Sequence, residues 1–290
     1  MKRTEEHQEQ QGFLTIAQNT DTVDYLKLAY VQAMSIKLVM PGSKYAVVVD
    51  KKTLQCVTPQ HRRVFDYVIE LPYDYAQEHK WKLANEWQVF WLTPFKETIK
   101  IEADILIPDS IDHWWNAFRL RDVVVATGCK NYLGENGTSM KYREVFENNN
   151  LPNVYNGLMY FRYTRIATQF FTVARELFLN WPTVAQELTK VNDQIATTDV
   201  VYALACKIVG IEHTTIPTAD FLNFVHMKPA INDWPEGIEF HKSFNIVVAP
   251  PRIRVNNIEQ HHPFHYHFKD FVTDDIVKEY ELALGISTVL

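Results

Sequence analysis

Two carboxylates, Glu102 and Asp104, stand two residues apart within the largely apolar run 99–107. In a β-strand, residues i and i+2 project from the same face, so we expect both side chains to point the same way. Two buried like charges repel each other unless a proton or a cation joins them. Mg²⁺ and Mn²⁺ prefer carboxylate oxygens and leave coordination positions open for phosphate. The pair therefore predicts a divalent-metal site for a nucleotide diphosphate, and its alternative is an exposed strand end.

A second polar cluster lies near the C-terminus, where His265, His267 and Lys269 alternate with aromatic residues. If residues 261–269 are extended, the three polar side chains share one face and the aromatic side chains share the other. A neutral imidazole is a good metal ligand, and a lysine ammonium holds a phosphate group as a point charge. The pattern indicates a metal and phosphate site, with a surface strand as the alternative. A zinc finger is disfavoured because no cysteines pair at finger spacing.

Other segments carry residues suited to ligand binding. Asn156 and Gly157 interrupt an apolar run, which indicates either a close approach of the backbone to a ligand or a β-bulge. Asp199 opens a predicted helix, where it is either a catalytic carboxylate or part of a helix cap. Lys82 is a candidate for contact with phosphate. Residues 111–121 are rich in aromatic and guanidinium groups, including those of Trp114, Trp115, Arg119 and Arg121. Such a segment either stacks on a sugar or a base, or it forms an ordinary packed helix.

Composition and charge exclude several classes of protein. The 290 residues are 47% hydrophobic and 22% charged, which is typical of a globular protein. The net charge of −6 disfavours unaided binding to duplex nucleic acid. No apolar run reaches the length of about 20 residues that spans a bilayer, and the polar N-terminus lacks a signal-peptide core. We therefore expect a cytoplasmic protein that does not enter membranes.

Apolar strands that alternate with helical patterns predict an α/β protein, with a mostly parallel central sheet flanked by helices on both faces. Ligands bind such sheets outside the carboxyl ends of the strands, where Gln18, Asn19, Asp50 and Asp104 stand in this chain. Residues 1–11 are predicted to form a disordered tail. The main strands are predicted at residues 13–18, 45–49, 64–71, 99–103, 122–127 and 154–163, and the helices at 23–36, 79–91, 166–179, 199–209 and 274–284.

In the order of these parts, the chain resembles glycosyltransferases of the GT-A fold, and it is most similar to family 8-like and phage-encoded members. The resemblance covers roughly residues 13–271. Residues 92–106 resemble the approach to the Asp-x-Asp motif of the family, with Glu102 in place of the first Asp. The Asn156-Gly157 pair resembles a shortened form of the Asn-x-Gly motif on the acceptor side, and Thr198-Asp199 resembles the acidic pair before a helix.

The late histidine and lysine of that family have counterparts in His265 and Lys269, with His267 as a competitor for the histidine position. The resemblance implies a Rossmann-like GT-A sheet with a smaller acceptor-side sheet, in one domain spanning residues 12–290. Residues 12–110 would form the nucleotide-binding half. Residues 111–290 would form the acceptor-side half and the C-terminal metal and diphosphate segment.

The activity that the resemblance implies is transfer of a sugar from a nucleotide-diphosphate donor, most simply a UDP-sugar, to an acceptor hydroxyl, with Mn²⁺ or Mg²⁺ as cofactor. The metal ligands would be Asp104, Glu102 and a late histidine, His265 or His267. The catalytic residues would be Asp199 and Asn156. Donor-binding residues would be Gln18, Asn19, Asp50, Lys82, Glu102, Ala103 and Lys269, and acceptor-binding residues would be Trp114, Trp115, Arg119 and Gly157.

Several alternatives stay open at this point. The acceptor is a glycan, a protein, a small molecule or a hydroxymethylated base in phage DNA. Asp199 would act as a base in an inverting enzyme or as a flanking carboxylate in a retaining one. A sugar nucleotidyltransferase shares the sheet topology, but it needs a Gly-rich loop with an arginine that residues 17–22 do not offer. The last alternative is a non-catalytic protein that kept the fold and lost the metal, and the oligomeric state is also open.

Overall fold

The computed structural model describes residues 9–77, 79, 82–137, 143–191, 195–212, 224–235 and 240–286. The strands, in chain order, are β1 (Glu9–Ile16), β2 (Tyr45–Val49), β3 (Tyr67–Glu70), β4 (Phe95–Ile101), β5 (Ile105–Leu106), β6 (Val123–Thr127), β7 (Val154–Arg162), β8 (Val225–His226), β9 (Ile246–Ala249), β10 (Arg252–Val255), β11 (Ile258–Gln260) and β12 (Phe264–His265). They form three sheets, with strand orders β3-β2-β1-β4-β7-β6, β11-β10-β9 and β5-β12-β8.

The helices connect and cover these sheets. In chain order they are α1 (Tyr25–Val39), α2 (Lys51–Leu54), α3 (His61–Val64), α4 (Val89–Leu92), α5 (Trp114–Phe118), α6 (Glu144–Asn148), α7 (Arg165–Leu179), α8 (Trp181–Gln186), α9 (Thr198–Val209), α10 (Pro229–Asn232) and α11 (Asp274–Ala283). Two 3₁₀ helices, Lys82–Gln88 and Phe240–Ser243, add short turns. Among the described residues, no helix combines the length and the apolar character needed to cross a membrane.

The six-stranded sheet is mostly parallel, as the sequence predicts. β1 runs parallel to β2 and to β4, and β2 runs parallel to β3. β7 is antiparallel to both β4 and β6. The carboxyl ends of β1, β2 and β4 therefore meet at one edge of the sheet, and the chain segments that leave this edge build the candidate site.

Both faces of this sheet are covered, which explains why β2 is apolar throughout. Tyr45 and Val47 on β2 point into a cluster formed with α1 and α11, while Ala46 and Val48 point into a second cluster formed with α7 and α9. A strand whose two faces are both buried needs no polar alternation. The sheet thus forms the middle layer of an α/β sandwich and gives the site a rigid support.

Several predicted element bounds need correction. β1 begins at Glu9, so residues 9–11 belong to the central sheet and not to a disordered tail, while residues 1–8 lie outside the described ranges. This polar start of the strand is held by the pairing of Gln11 with Glu97 and by a hydrogen bond from the Gln10 side chain to Glu97. A hydrophobic pattern cannot detect a strand segment of this kind. The strand predicted at residues 64–71 begins at Tyr67, and most of the helix predicted at 79–91 is a 3₁₀ helix.

Candidate active site

The turn after β4 presents the two acidic residues. Glu102 and Asp104 lie in this turn and not on one face of a strand, because β4 ends one residue before Glu102. The Gln32 side chain from α1 donates hydrogen bonds to the carbonyl oxygens of Glu102, at 2.5 Å, and of Ile105, at 2.8 Å. These buried contacts fix the turn so that both carboxylates approach His265, whose Nε2 atom lies 2.8 Å from Asp104 Oδ2 and 3.7 Å from Glu102 Oε2.

The small β5-β12-β8 sheet brings His265 to this turn. β12 pairs antiparallel with β5, which places His265 opposite Ile105, and parallel with β8, which places it beside His226. The backbone N–H of Tyr266 donates to the carbonyl of Asp104 at 3.3 Å. Backbone pairing therefore joins Asp104 to a histidine that is 161 positions later in the chain.

His267 and Lys269 reach the same place by a different path from the one the sequence predicts. Residues 261–269 are not a continuous strand, because β12 ends at His265 and His267 has a left-handed backbone with φ of 63°. This local reversal brings one potential ligand atom each of Asp104, His265 and His267 within 4.8 Å of one another. Lys269 donates a hydrogen bond to the Asp104 carboxylate. We refer to Asp104, His265 and His267 as the Asp-His-His group; Glu102 lies beside it.

The protonation states of Asp104 and His267 suit a divalent cation. Burial disfavours the charged form of Asp104, but the charges and hydrogen bonds of His265 and Lys269 outweigh it and hold the pKa of Asp104 well below its usual range. Burial, assisted by His265, lowers the pKa of His267 to about 3, so this imidazole is neutral at pH 7. Metal binding requires an ionised carboxylate and neutral imidazoles. The ionised Asp104 and the neutral His267 meet this requirement for a divalent cation.

His226 is a site residue that the sequence analysis missed. Its ring stacks on that of His265, with centroids 4.0 Å apart, and lies 5.9 Å from the ring of His267. Burial, together with His265, lowers the pKa of His226 well below its usual range, and its Nδ1 accepts a hydrogen bond from the backbone N–H of Lys228 at 3.2 Å. The neutral His226 ring thus packs against the face of the His265 ring and supports its position. Only the pairing of β8 with β12 reveals this, and no local sequence pattern encodes it.

Asp199 and Asn156 lie together at the other side of the site. Asp199, in the first turn of α9, accepts a hydrogen bond from the backbone N–H of Asn156 at 2.7 Å and one from Arg143 at 3.4 Å. The side-chain amide of Asn156 is buried and has no hydrogen-bond partner within the described ranges. A Cβ at Gly157 would lie 2.9 Å from the Phe224 ring, so close packing explains this glycine. Arg143 is a second residue that the sequence analysis missed.

One cavity of about 380 Å³ collects most of the predicted residues. It is lined by Gln18, Lys82, Glu102, Ala103, Asp104, Asn156, Gly157, Asp199, His265, His267 and Lys269. The Lys82 ammonium donates to the backbone carbonyls of Ala76, at 2.7 Å, and of Gln77, at 2.8 Å, which holds it at the rim. The cavity is also lined by Glu86 and Lys100, which carry no role in the sequence analysis.

Asn19 and Asp50 line a neighbouring cleft, and their side chains maintain its walls. Asp50 caps α2 by accepting from the backbone N–H of Thr53 at 2.7 Å, and its second oxygen accepts from Gln18 at 3.1 Å. Asn19 accepts from the backbone N–H of Leu26 at 2.9 Å. Because Gln18 lines the first cavity and bonds to Asp50 in the second, the two cavities share a wall.

The structure does not bring Trp114, Trp115 and Arg119, which the resemblance suggests as acceptor-binding residues, to this cavity. Both tryptophans are buried, and Trp115 packs edge-on against Phe13. Arg119 donates to Glu97 at 2.8 Å, near the amino end of β4. Helix α5 therefore lies at the opposite edge of the sheet from the Asp-His-His group. Aromatic residues there fill the core beneath β1, which is the alternative that the sequence left open.

No protein-family model matches this chain, and no curated protein matches its sequence. Its structure is similar to that of the galactosyltransferase LgtC in complex with donor and acceptor sugar analogs. The TM-score is 0.54 at 12% identity, over 96% of this chain and 97% of LgtC. The chain has the GT-A fold. The glycosyltransferase GlyE of Streptococcus pneumoniae matches with a TM-score of 0.45 at 6% identity, over 73% of this chain and 45% of GlyE. Mouse xyloside xylosyltransferase 1 matches with a TM-score of 0.43 at 12% identity, over 73% of this chain and 85% of that protein.

Proposed function

We propose that this chain is a metal-dependent glycosyltransferase that moves a sugar from a UDP-sugar to an acceptor hydroxyl. The proposal rests on the convergence of Asp104, His265, His267 and Lys269 beside one cavity, at the carboxyl ends of parallel strands. That is the edge at which open α/β sheets bind their ligands. A carboxylate, two imidazoles and a nearby ammonium form a site for a cation and a diphosphate together.

These residues would stabilise the leaving diphosphate. Asp104, His265 and His267 would hold Mn²⁺ or Mg²⁺, and such an ion, when bound, supplies Lewis-acid stabilisation to the leaving diphosphate. Lys269, which contacts Asp104, adds positive charge for the same oxygen atoms. Glu102 and Ala103 line the same cavity, where they would lie beside the sugar, and Gln18 would lie beside the nucleotide.

Asp199 is the proposed carboxylate next to the sugar, and the side chain of Asn156 would bind the sugar. One oxygen of Asp199 accepts from the Asn156 N–H and the other faces Arg143, so its orientation is fixed from two sides. A carboxylate held in this way is suited to stabilise positive charge that develops on the sugar. The unpartnered amide of Asn156 supplies a donor and an acceptor for sugar hydroxyls.

The acceptor in this proposal is a hydroxyl compound. Trp114 and Trp115, which were candidates for stacking on a base, lie in the core, so they give no support to a nucleic-acid acceptor. An acceptor screen would therefore include free sugars, glycans and hydroxymethylated DNA, with UDP release as the common readout.

Calorimetric titration with UDP, with and without Mn²⁺, tests the proposed function. The wild-type chain should bind UDP with Mn²⁺, and Asp104→Ala should abolish the metal-dependent part of the binding. Asp109→Ala is a matched control, because Asp109 also pairs with a histidine, His261, at 2.7 Å, but at the exposed surface. His265→Ala and His267→Ala should each weaken binding.

The outcomes separate the alternatives. UDP affinity that is unchanged in Asp104→Ala would contradict the proposed metal site. Metal-dependent UDP binding without release of UDP from any UDP-sugar would indicate a non-catalytic relative. Turnover of a nucleoside triphosphate with a sugar 1-phosphate would indicate a sugar nucleotidyltransferase instead.

A further inference from the structure

A buried ion pair lies in the wall of the cavity and has no role in the proposed transfer chemistry. Lys100 Nζ lies 2.6 Å from Glu86 Oε2, and the two side chains are 1% and 7% exposed. Both residues line the cavity that holds the Asp-His-His group. Lys100 comes from β4, and Glu86 comes from the 3₁₀ helix Lys82–Gln88.

The position of Lys100 is one at which packing alone would favour an apolar side chain. In the central sheet, Lys100 pairs with Leu14 on β1 and with Met159 on β7, and both neighbours are fully buried in the cluster beneath α7 and α9. Replacing a buried ion pair by apolar residues of similar volume is often neutral or stabilising. The pair is therefore not explained by stability.

The pair also retains unused hydrogen-bonding capacity. Neither Lys100 Nζ nor Glu86 Oε2 has a partner in hydrogen-bond geometry within the described part of the chain, although both atoms are inaccessible to solvent. A lysine ammonium has three donors and a carboxylate has about four acceptor sites. Buried polar groups left in this state are costly unless a further group supplies the missing contacts.

The ion pair lies near the cation site. Lys100 is the last residue but one of β4, Glu102 follows that strand directly, and the charges of both Lys100 and Glu86 act on the Glu102 carboxyl. Glu102 in turn lies beside the Asp-His-His group, 3.7 Å from His265. A sugar attached to a diphosphate at the cation site would therefore extend towards the ion pair.

We propose that Glu86 and Lys100 bind hydroxyl groups of the donor sugar and so select a neutral, fully hydroxylated hexose. A sugar hydroxyl accepts from the Lys100 ammonium and donates to the Glu86 carboxylate, which completes the contacts that the chain leaves open. A sugar that lacks this hydroxyl leaves the remaining donors and acceptors of the buried ion pair without a partner, and a site built to hydrogen-bond a hydroxyl discriminates strongly against a substrate that lacks it. This inference rests on the proposed function, because it assigns the sugar of the same donor.

The test measures binding, in the presence of Mn²⁺, of UDP, of UDP-glucose and UDP-galactose, and of their monodeoxyfluoro analogues. Fluorine cannot donate a hydrogen bond, so the wild-type chain should bind at least one analogue roughly 10- to 100-fold more weakly than its parent. The double variant Glu86→Leu/Lys100→Met should reduce that difference to about threefold or less. Its affinity for UDP alone should stay unchanged and its thermal stability should not fall.

A matched control comes from the other end of the same strand. Glu97 on β4 pairs with Arg119 at 2.8 Å, away from the cavity, so Glu97→Leu/Arg119→Met should leave the sugar preference unchanged. The inference is overturned if the wild-type chain binds every analogue as tightly as its parent, a result that needs no variant to fold. It is also overturned if Glu86→Leu/Lys100→Met keeps the full discrimination. If the wild-type chain fails to bind UDP with Mn²⁺, the proposed function itself fails.

Discussion

Replacing Arg143 should separate the stability of the fold from the chemistry of Asp199. Arg143 is 3% exposed, its Nη2 donates to the Val154 carbonyl at 2.5 Å, and its guanidinium stacks over Phe146 at 3.6 Å. It also donates to Asn153. In Arg143→Met the stem keeps most of its packing, but these donors are lost.

The expected loss in the free energy of unfolding depends on which buried groups lose a hydrogen-bond partner. The Val154 carbonyl would lose a buried hydrogen bond, and a buried group that loses its partner costs about 1–3 kcal/mol. The contact with Asp199 is long, at 3.4 Å, and Asp199 is 24% exposed, so water replaces part of it. We expect Arg143→Met to lower the free energy of unfolding by about 3 kcal/mol.

The catalytic effect should be distinct from this loss. Asp199 keeps its hydrogen bond to the Asn156 N–H but loses its second restraint, so we expect kcat to fall about tenfold or more, while Mn²⁺-dependent UDP affinity is retained. Urea unfolding and UDP release measure the two effects. Arg175→Met is the control, because Arg175 pairs with Glu176 on the surface, and it should change stability by less than about 0.5 kcal/mol. A kcat equal to that of the wild-type chain, in folded Arg143→Met, would refute the role assigned to Arg143.

Two further predictions concern the fold. Trp115→Ala should lower the free energy of unfolding by about 3–5 kcal/mol without changing UDP affinity, since Trp115 packs against Phe13 in the core. A free energy of unfolding close to that of the wild-type chain, measured in urea, would contradict this. Asp66 accepts from Lys37 at 2.7 Å and from the Tyr45 N–H at 2.9 Å; burial opposes these contacts, but together they hold the pKa of Asp66 below its usual value. A depressed folded-state pKa stabilises the protein above the unfolded pKa. The stability gap between wild type and Asp66→Asn should therefore be full at pH 7, begin to narrow near pH 4 and narrow further as the pH falls through the folded-state pKa. A gap that does not narrow at all below about pH 4 would show that the carboxylate charge contributes nothing.

The sheet and one half of the site could be predicted from sequence because they follow from local pattern. The apolar run of β2 and the alternation of strands and helices specify a parallel sheet, and the strand-end rule then identifies Gln18 and Asp104 as neighbours of a ligand. Both line the cavity. The same local reasoning placed Glu102 and Asp104 on one strand face, whereas a turn held by Gln32 brings them together.

The remaining parts depend on long-range pairing that no local pattern records. His226 enters the site through the pairing of β8 with β12, and Arg143 through contacts with the start of β7. His267 arrives through a left-handed residue, which a period-2 pattern cannot anticipate. The aromatic pattern around Trp115 is the same for a stacking surface and for a core helix. Only the packing of α5 against the central sheet distinguishes the two.

Pulsed electron paramagnetic resonance of Mn²⁺ bound with UDP tests most directly whether Asp104, His265 and His267 hold a cation beside a diphosphate. In the wild-type chain, the ion should show coupling both to imidazole nitrogen and to the phosphorus of UDP. The nitrogen coupling should vanish in His265→Ala/His267→Ala. A wild-type spectrum with phosphorus coupling but no nitrogen coupling would show that the cation lies elsewhere, and the metal site assigned to these residues would be wrong.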